Sequence, residues 1–136
     1  MSIEENKALV RRFYEALGRE DYEEMAKLFH KDFVFYSQVD TPHPGGDEFI
    51  ASERKSFQAF KGFKFVLDRM VAEGDQVAAY LVFEGHQSGE WQGIAARGAK
   101  LKFSLFGLLK IADGKIIEKR AHFDVKDIVR QLTLPA

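Results

Sequence analysis

Residues 113–132 read DGKIIEKRAHFDVKDIVRQL, and the fold turns on how this stretch divides. Asp113-Gly114 is the strongest short hairpin signal in the chain, because a two-residue turn of this type needs left-handed backbone. It sends the chain antiparallel into a strand from Ile116 to Phe123, and a short helix, roughly Lys126 to Leu132, follows. Side chains two apart in a strand share a face. Glu118, Arg120, His122 and Asp124 therefore project together, opposite Ile117, Ala121 and Phe123. That polar face either meets water or lines a pocket in which Asp124 does chemistry.

Upstream, the patterning is helical first and extended later. Ser2-Ile3-Glu4-Glu5 has the form of a capping box, and Val10, Phe13, Tyr14 and Leu17 follow along one helical face, ending at Gly18. Asp21 opens a second, shorter stripe through Tyr22, Met25, Leu28 and Phe29. Phe33-Val34-Phe35-Tyr36 is β-branched and aromatic, hence a strand. Thr41 to Gly46, with two prolines and a glycine pair, reads as loop, and Asp47 can cap a third helix running to about Phe60. From Phe63 the period changes to two. A strand ends at the Glu73-Gly74-Asp75 turn, and Val77 to Phe83 is a largely apolar strand. Gly85 to Gly98 reads as a hairpin or a long loop around Trp91. Leu101, Phe103, Leu105, Leu109 and Ile111 share one parity of the strand before Asp113. Helices first and antiparallel strands afterwards specify an α+β fold, with helices packed on one face of the sheet.

Composition narrows the function classes. The 136 residues suit one domain, 1–136, and the formal net charge of −1 gives no electrostatic case for nucleic acid or an anionic membrane. There is no cysteine, which excludes disulfides, thiolate catalysis and cysteine–zinc sites. The N-terminus lacks the apolar core of a signal peptide, and no apolar run approaches the ~20 residues that span a bilayer, so a cytoplasmic location is expected. The chain carries 13 Phe beside four Tyr and one Trp. Phe needs no hydrogen-bond partner, so this suits either a large core or an apolar cavity.

His30, His43, His86 and His122 are scattered without metal-ligand spacing, and no phosphate-cradling loop or nucleophile elbow is present. Neither a metal nor a cofactor is expected. What remains is acid–base chemistry at the end of the last strand. Glu118 and Asp124 lie ~20 Å apart along a strand, whereas His122 and Asp124 lie ~6.5 Å apart on one face. Asp124 serves equally as a cap for the following helix or a partner for Arg120, and His122 as a half-exposed strand residue. Tyr14 belongs to the apolar face of the first helix, yet a buried hydroxyl needs a partner. Tyr36 carries the same ambiguity, and Trp91 is either a pocket lid or, more simply, a loop anchor.

The segments FYEAL (13–17), REDYEEMAKLFHKDFVFY (19–36), VAEGDQVAAYLVFEGHQSGEWQGIAARGAKL (71–101) and DGKIIEKRAHFDVKDIVRQL (113–132) resemble, in order, the SnoaL-like polyketide cyclase family. That family has the nuclear transport factor 2-like fold shared with ketosteroid isomerase. The resemblance implies a cone-shaped, curved antiparallel sheet wrapped by three N-terminal helices around a pocket, with a homodimer formed through the sheet. It implies a cofactor-independent lyase or isomerase acting on a small apolar carbonyl compound through an enolate. Aligned on the terminal Gln131-Leu132, the family's catalytic base falls on Asp124, with His122 beside it as a second catalytic group. The pocket tyrosine falls on Tyr14, and Tyr36, Arg120 and Trp91 join it as substrate-binding candidates. Lys119-Arg120 stands where many members have His-Trp. Two alternatives share the fold: an epoxide-opening hydrolase, needing Asp68 or Glu84 beside Asp124, and a non-catalytic module binding a small apolar or aromatic ligand.

Overall fold

The computed structural model describes residues 2–134. Helices α1 (Ile3–Gly18) and α2 (Tyr22–Leu28) lead into strands β1 (Phe29–Gln38) and β2 (Thr41–Pro44). Helix α3 (Gly46–Gln58) precedes β3 (Lys64–Glu73), β4 (Gln76–His86), β5 (Lys100–Ala112) and β6 (Lys115–His122), and α4 (Val125–Thr133) closes the chain. The six strands form one open sheet in the order β2-β1-β6-β5-β4-β3. Four helices on a curved sheet make the α+β fold expected from the sequence.

The local signals act as their chemistry requires. Ser2 and Glu5 form a reciprocal capping box on α1, and Asp21 caps α2 through the backbone N–H of Glu24. Asp113 and Gly114 both take positive φ, 54° and 72°, which reverses the chain between β5 and β6. α3 differs from expectation at its start: Gly45, not Asp47, is the N-cap, and no side chain caps it.

Two corrections concern the sheet. It is mixed rather than wholly antiparallel, because β1 pairs parallel with β6 while every other pairing is antiparallel. Residues joined by a hairpin carry their direction in the turn, but β1 and β6 are separated by most of the chain, so only packing sets their sense. Thr41–Pro44 is also a strand rather than a loop. It pairs with β1 at the outer edge of the sheet, where proline's missing N–H leaves no ladder bond unmade.

The concave face of the sheet carries the core. Val77, Ala79, Leu81 and Phe83 of β4 and Leu101 and Leu109 of β5 are buried there against Val10, Phe13, Tyr14 and Leu17 of α1. Side chains at Phe49, Glu53 and Phe57 follow at four-residue intervals and so share one face of α3. Phe49 packs with Phe13, Phe29, Phe33 and Phe35, while Phe57 packs with Phe63, Phe65 and Phe83. Tyr14 joins the two aromatic groups through Phe65. Each such pair contributes about 0.5–1.5 kcal/mol beyond its buried area.

The register of β6 decides which of its side chains enter this core. Lys110 pairs with Glu118 but Ile111 pairs with Ile116, so Ile117 is an extra residue in β6. Ile116, Lys119 and Ala121 are buried, whereas Glu118 and Arg120 are only half-buried and His122 is exposed. The polar parity does share one face, and that face is the convex one.

Just beyond β6, Asp124 is exposed and is the N-cap of α4, its Oδ1 accepting the Asp127 backbone N–H at 3.0 Å. Replacing Asp124 with Ala should therefore lower stability by about 1 kcal/mol, while Asp124→Ser should retain most of it. Urea unfolding of the two variants measures this difference, and equal losses would show that the cap contributes nothing.

Candidate functional site

Two concavities open into the helix-covered side of the sheet. The first is an apolar cavity of about 100 Å³ whose wall includes Phe57, Phe83, Trp91, Leu101, Phe103 and Glu53. The second is a cleft of about 330 Å³ bounded by Phe35, His43, Phe49, Ser52 and again Glu53. Glu53 thus stands at both. It is the one carboxylate on the aromatic face of α3, at the midpoint between Phe49 and Phe57.

Behind Phe35 and Phe49 of the cleft wall lies Lys119 of β6, 3% exposed and not itself on the lining of either concavity. Its ammonium lies over the rings of Phe49, Phe35 and Tyr14, at 5.3, 5.6 and 5.6 Å from their centroids. Among the described residues it makes no hydrogen bond and no ion pair. The Glu53 carboxyl is near enough to act on it electrostatically without forming a contact pair. Ring faces compensate a buried cation only in part.

The third polar group is the Tyr14 hydroxyl, 2% exposed and without a hydrogen-bond partner. It reaches its position because β5 has glycine opposite: a Cβ at Gly107 would lie 2.9 Å from the Tyr14 oxygen. An unsatisfied buried hydroxyl costs about 1–3 kcal/mol. Phenylalanine at position 14 would avoid that cost.

Desolvation shifts the protonation of all three groups, Lys119 and Tyr14 being buried and Glu53 half-buried. Desolvation pushes Lys119 down from the usual 10.5 to about 8, against the opposing pull of Glu53. Desolvation raises the Glu53 carboxyl, with Lys119 drawing it back. Burial, and then the Glu53 charge, raise the Tyr14 hydroxyl above its ordinary range. The amine's range falls and the carboxyl's rises, so the two are drawn toward each other, the direction that acid–base catalysis needs.

Most of the sequence-derived candidates lie elsewhere. His122 and Asp124 line an open depression on the surface with Tyr80, Phe106 and Asp127, not the interior. Arg120 pairs with Glu118 through its Nε at 3.3 Å and lies 4.0 Å from the Tyr36 ring centroid, so Arg120 and Tyr36 occupy each other on the convex face. Arg120 makes no ion pair with Asp124. Trp91 does line the cavity; its backbone exchanges hydrogen bonds with Ile94, and the Gln87 amide ties the same loop to the Gly89 and Ile94 carbonyls. Asp68 and Glu84 are surface residues paired with Arg69 and Lys102. The second carboxylate that the hydrolase alternative requires at Asp124 is therefore not supplied by either. Among the described residues no three His, Asp or Glu side chains are grouped to hold a metal ion, and no helix is long and apolar enough to cross a membrane.

Sequence reasoning missed Glu53 and Lys119. Both carried a readable signal: Glu53 breaks the apolar Phe49–Phe57 face of α3, and Lys119 stands on the parity of Ala121.

The description of the SnoaL-like polyketide cyclase family matches residues 8–132. The chain belongs to that family. Among solved structures it is similar to AclR, a candidate hydroxylase from Streptomyces galilaeus, at 26% identity and a TM-score of 0.86 over 98% of this chain and 100% of that one. It is similar to a candidate SnoaL-like polyketide cyclase from Jannaschia sp. CCS1, at 22% identity and a TM-score of 0.90 over 100% and 97%. An LEH-like epoxide hydrolase from M. tuberculosis aligns at 23% identity and a TM-score of 0.73 over 96% and 90%. Comparison with curated proteins returns no significant match. The last two likenesses establish the nuclear transport factor 2-like fold. Family and fold together make this a small-molecule enzyme or binder.

The buried lysine also leaves a mark on stability. With its pKa lower in the folded state, the unfolded chain binds more protons between pH 8 and 10.5, so folding stability rises with pH across that interval. The rise is on the order of 3 kcal/mol in full, and above pH 10 the raised Tyr14 begins to oppose it. Urea unfolding between pH 8 and 10 should show this increase in the wild type and a flat profile in Lys119→Met. A flat wild-type profile would mean the amine is solvated.

Proposed function

We propose that this chain is a cofactor-independent acid–base enzyme that removes a proton from the carbon beside the carbonyl of a small apolar compound bound in the cone. The observation that carries the reading is the unpaired Lys119 ammonium, facing Glu53 and Tyr14 inside a phenylalanine-lined interior. Glu53, its carboxyl raised by desolvation, is the base. Lys119 and the unpartnered Tyr14 hydroxyl donate to the oxygen on which enolate charge develops. Donors held ready in a water-poor site stabilise that charge most strongly, each being worth about 10²–10³ in rate. Reprotonation of the enolate at another carbon gives isomerisation, and its attack on a second carbonyl of the same molecule gives aldol ring closure. The rings around the cavity favour an apolar or aromatic substrate. Asp124, as an exposed helix cap, takes no part in the step.

Deuterium exchange at the α-carbon of 2-tetralone in D₂O, followed by proton NMR, tests the assignment. The wild type should exchange faster than buffer, Glu53→Gln should lose about 10² or more of the rate, and Asp124→Asn should keep it. Loss in Asp124→Asn with retention in Glu53→Gln would return the role of base to Asp124. No acceleration by the wild type across a panel of aryl ketones would favour a binding module.

The same proposal includes a homodimer through the convex sheet face, where Phe106, Leu108 and Val71 are 55%, 39% and 67% exposed. Phe106→Asp should shift the sedimentation coefficient from dimer to monomer. A wild type that sediments as a monomer would remove this element.

A further inference from the structure

A lysine kept only to balance Glu53 would be expected in direct contact with it, because a contact pair recovers most of the cost of burying two charges. Lys119 is not. Its amine rests on three aromatic faces, with no hydrogen bond and no ion pair among the described residues, and two of those rings, Phe35 and Phe49, line the cleft. The titratable groups facing it are Glu53 from α3 and Tyr14 from α1. An amine without partners, set among apolar rings near a carboxyl, has the surroundings of a nucleophile.

We propose that Lys119 captures carbonyl compounds covalently, forming an imine with a small apolar aldehyde or ketone held in the cone. This rests on the carbonyl-binding reading of the same site and goes one step further. The Lys119 nitrogen lone pair forms a C–N bond to the carbonyl carbon as the C=O π pair moves to oxygen. Glu53, in its acid form, protonates that oxygen and takes back a proton from nitrogen, leaving a neutral carbinolamine. It then protonates the hydroxyl, the C–O bond breaks, water departs, and the nitrogen lone pair completes a C=N⁺ bond. The product is an iminium beside a Glu53 carboxylate, so charge and atoms balance with no further reactant. The iminium withdraws electrons from the neighbouring C–H more strongly than the parent carbonyl does, which makes the Glu53 proton abstraction easier.

The amine's protonation supports the same assignment. With Lys119 at about 8, about one molecule in ten carries the free amine at pH 7, far more than at an exposed lysine.

The full-length protein is treated with benzaldehyde and sodium cyanoborohydride at pH 7, followed by intact mass measurement and peptide mapping. The expected result is benzylation of Lys119 more than about tenfold faster than of any exposed lysine. Its rate should level off near pH 8, and Glu53→Gln should slow it. Benzylation spread over exposed lysines with Lys119 unmodified would overturn the proposal, and this comparison within the wild type holds whether or not Lys119→Met folds. If α-carbon exchange persists while Lys119 resists benzylation, the imine fails and the non-covalent enolate reading stands. If Lys119 is modified but no exchange occurs, the imine stands and Glu53 as the base fails. Absence of both removes both.

Discussion

The concave face of the sheet must be covered, and phenylalanine does most of the covering. Phe13 on α1 and Phe49 and Phe57 on α3 close over β1, β3, β4 and β5, making the interior water-poor. Everything chemical about the site follows from that closure. A lysine and a glutamate in water would be an unremarkable surface pair, with carboxyl and ammonium many pH units apart in protonation. Under the aromatic cover each loses hydration, and their protonation ranges move toward one another. The same rings that stabilise the fold set the reactivity of the groups they enclose.

The two faces of the sheet divide the work. On the concave side, two polar groups stand alone: the Tyr14 hydroxyl and the Lys119 ammonium have no hydrogen-bond partner among the described residues. On the convex side, polar groups are paired off, as in Glu118–Arg120 and the Arg120–Tyr36 stack, and interrupted by exposed aromatic and aliphatic side chains. The Ile117 bulge aligns Lys119 with the concave face while Ile116 remains buried in the core. One extra residue in a strand therefore determines which charge is enclosed. Gly107 has a complementary part in β5, since any side chain there would meet the Tyr14 hydroxyl.

Asp124 illustrates how far a spacing argument reaches. Its proximity to His122 is real: both side chains border the same open depression. The family resemblance gave it the place of a base. The structure gives it an exposed position at the start of α4, where its carboxylate accepts the Asp127 backbone N–H. Trp91, read from sequence as a loop anchor or a lid, sits in the cavity wall at the end of a loop pinned by its own backbone and by Gln87.

The sequence by itself determined the elements whose causes are local. The capping box at Ser2, the Asp21 cap, the Asp113-Gly114 reversal and the change from helical to alternating period were all readable, because each depends on residues within a few positions of one another. From these came the α+β class and the helices-before-strands order, and the ordered motifs gave the family. Only the tertiary structure decided the parallel pairing of β1 with β6, the extra residue in β6 and the face on which each polar side chain lies. These depend on contacts between segments far apart in sequence, where a one-residue change of register exchanges inside for outside. Glu53 and Lys119 stood in the sequence as single charges on apolar faces. What brought them near one another was the packing of α3 against β1, the sheet neighbour of β6, which no spacing along the chain encodes.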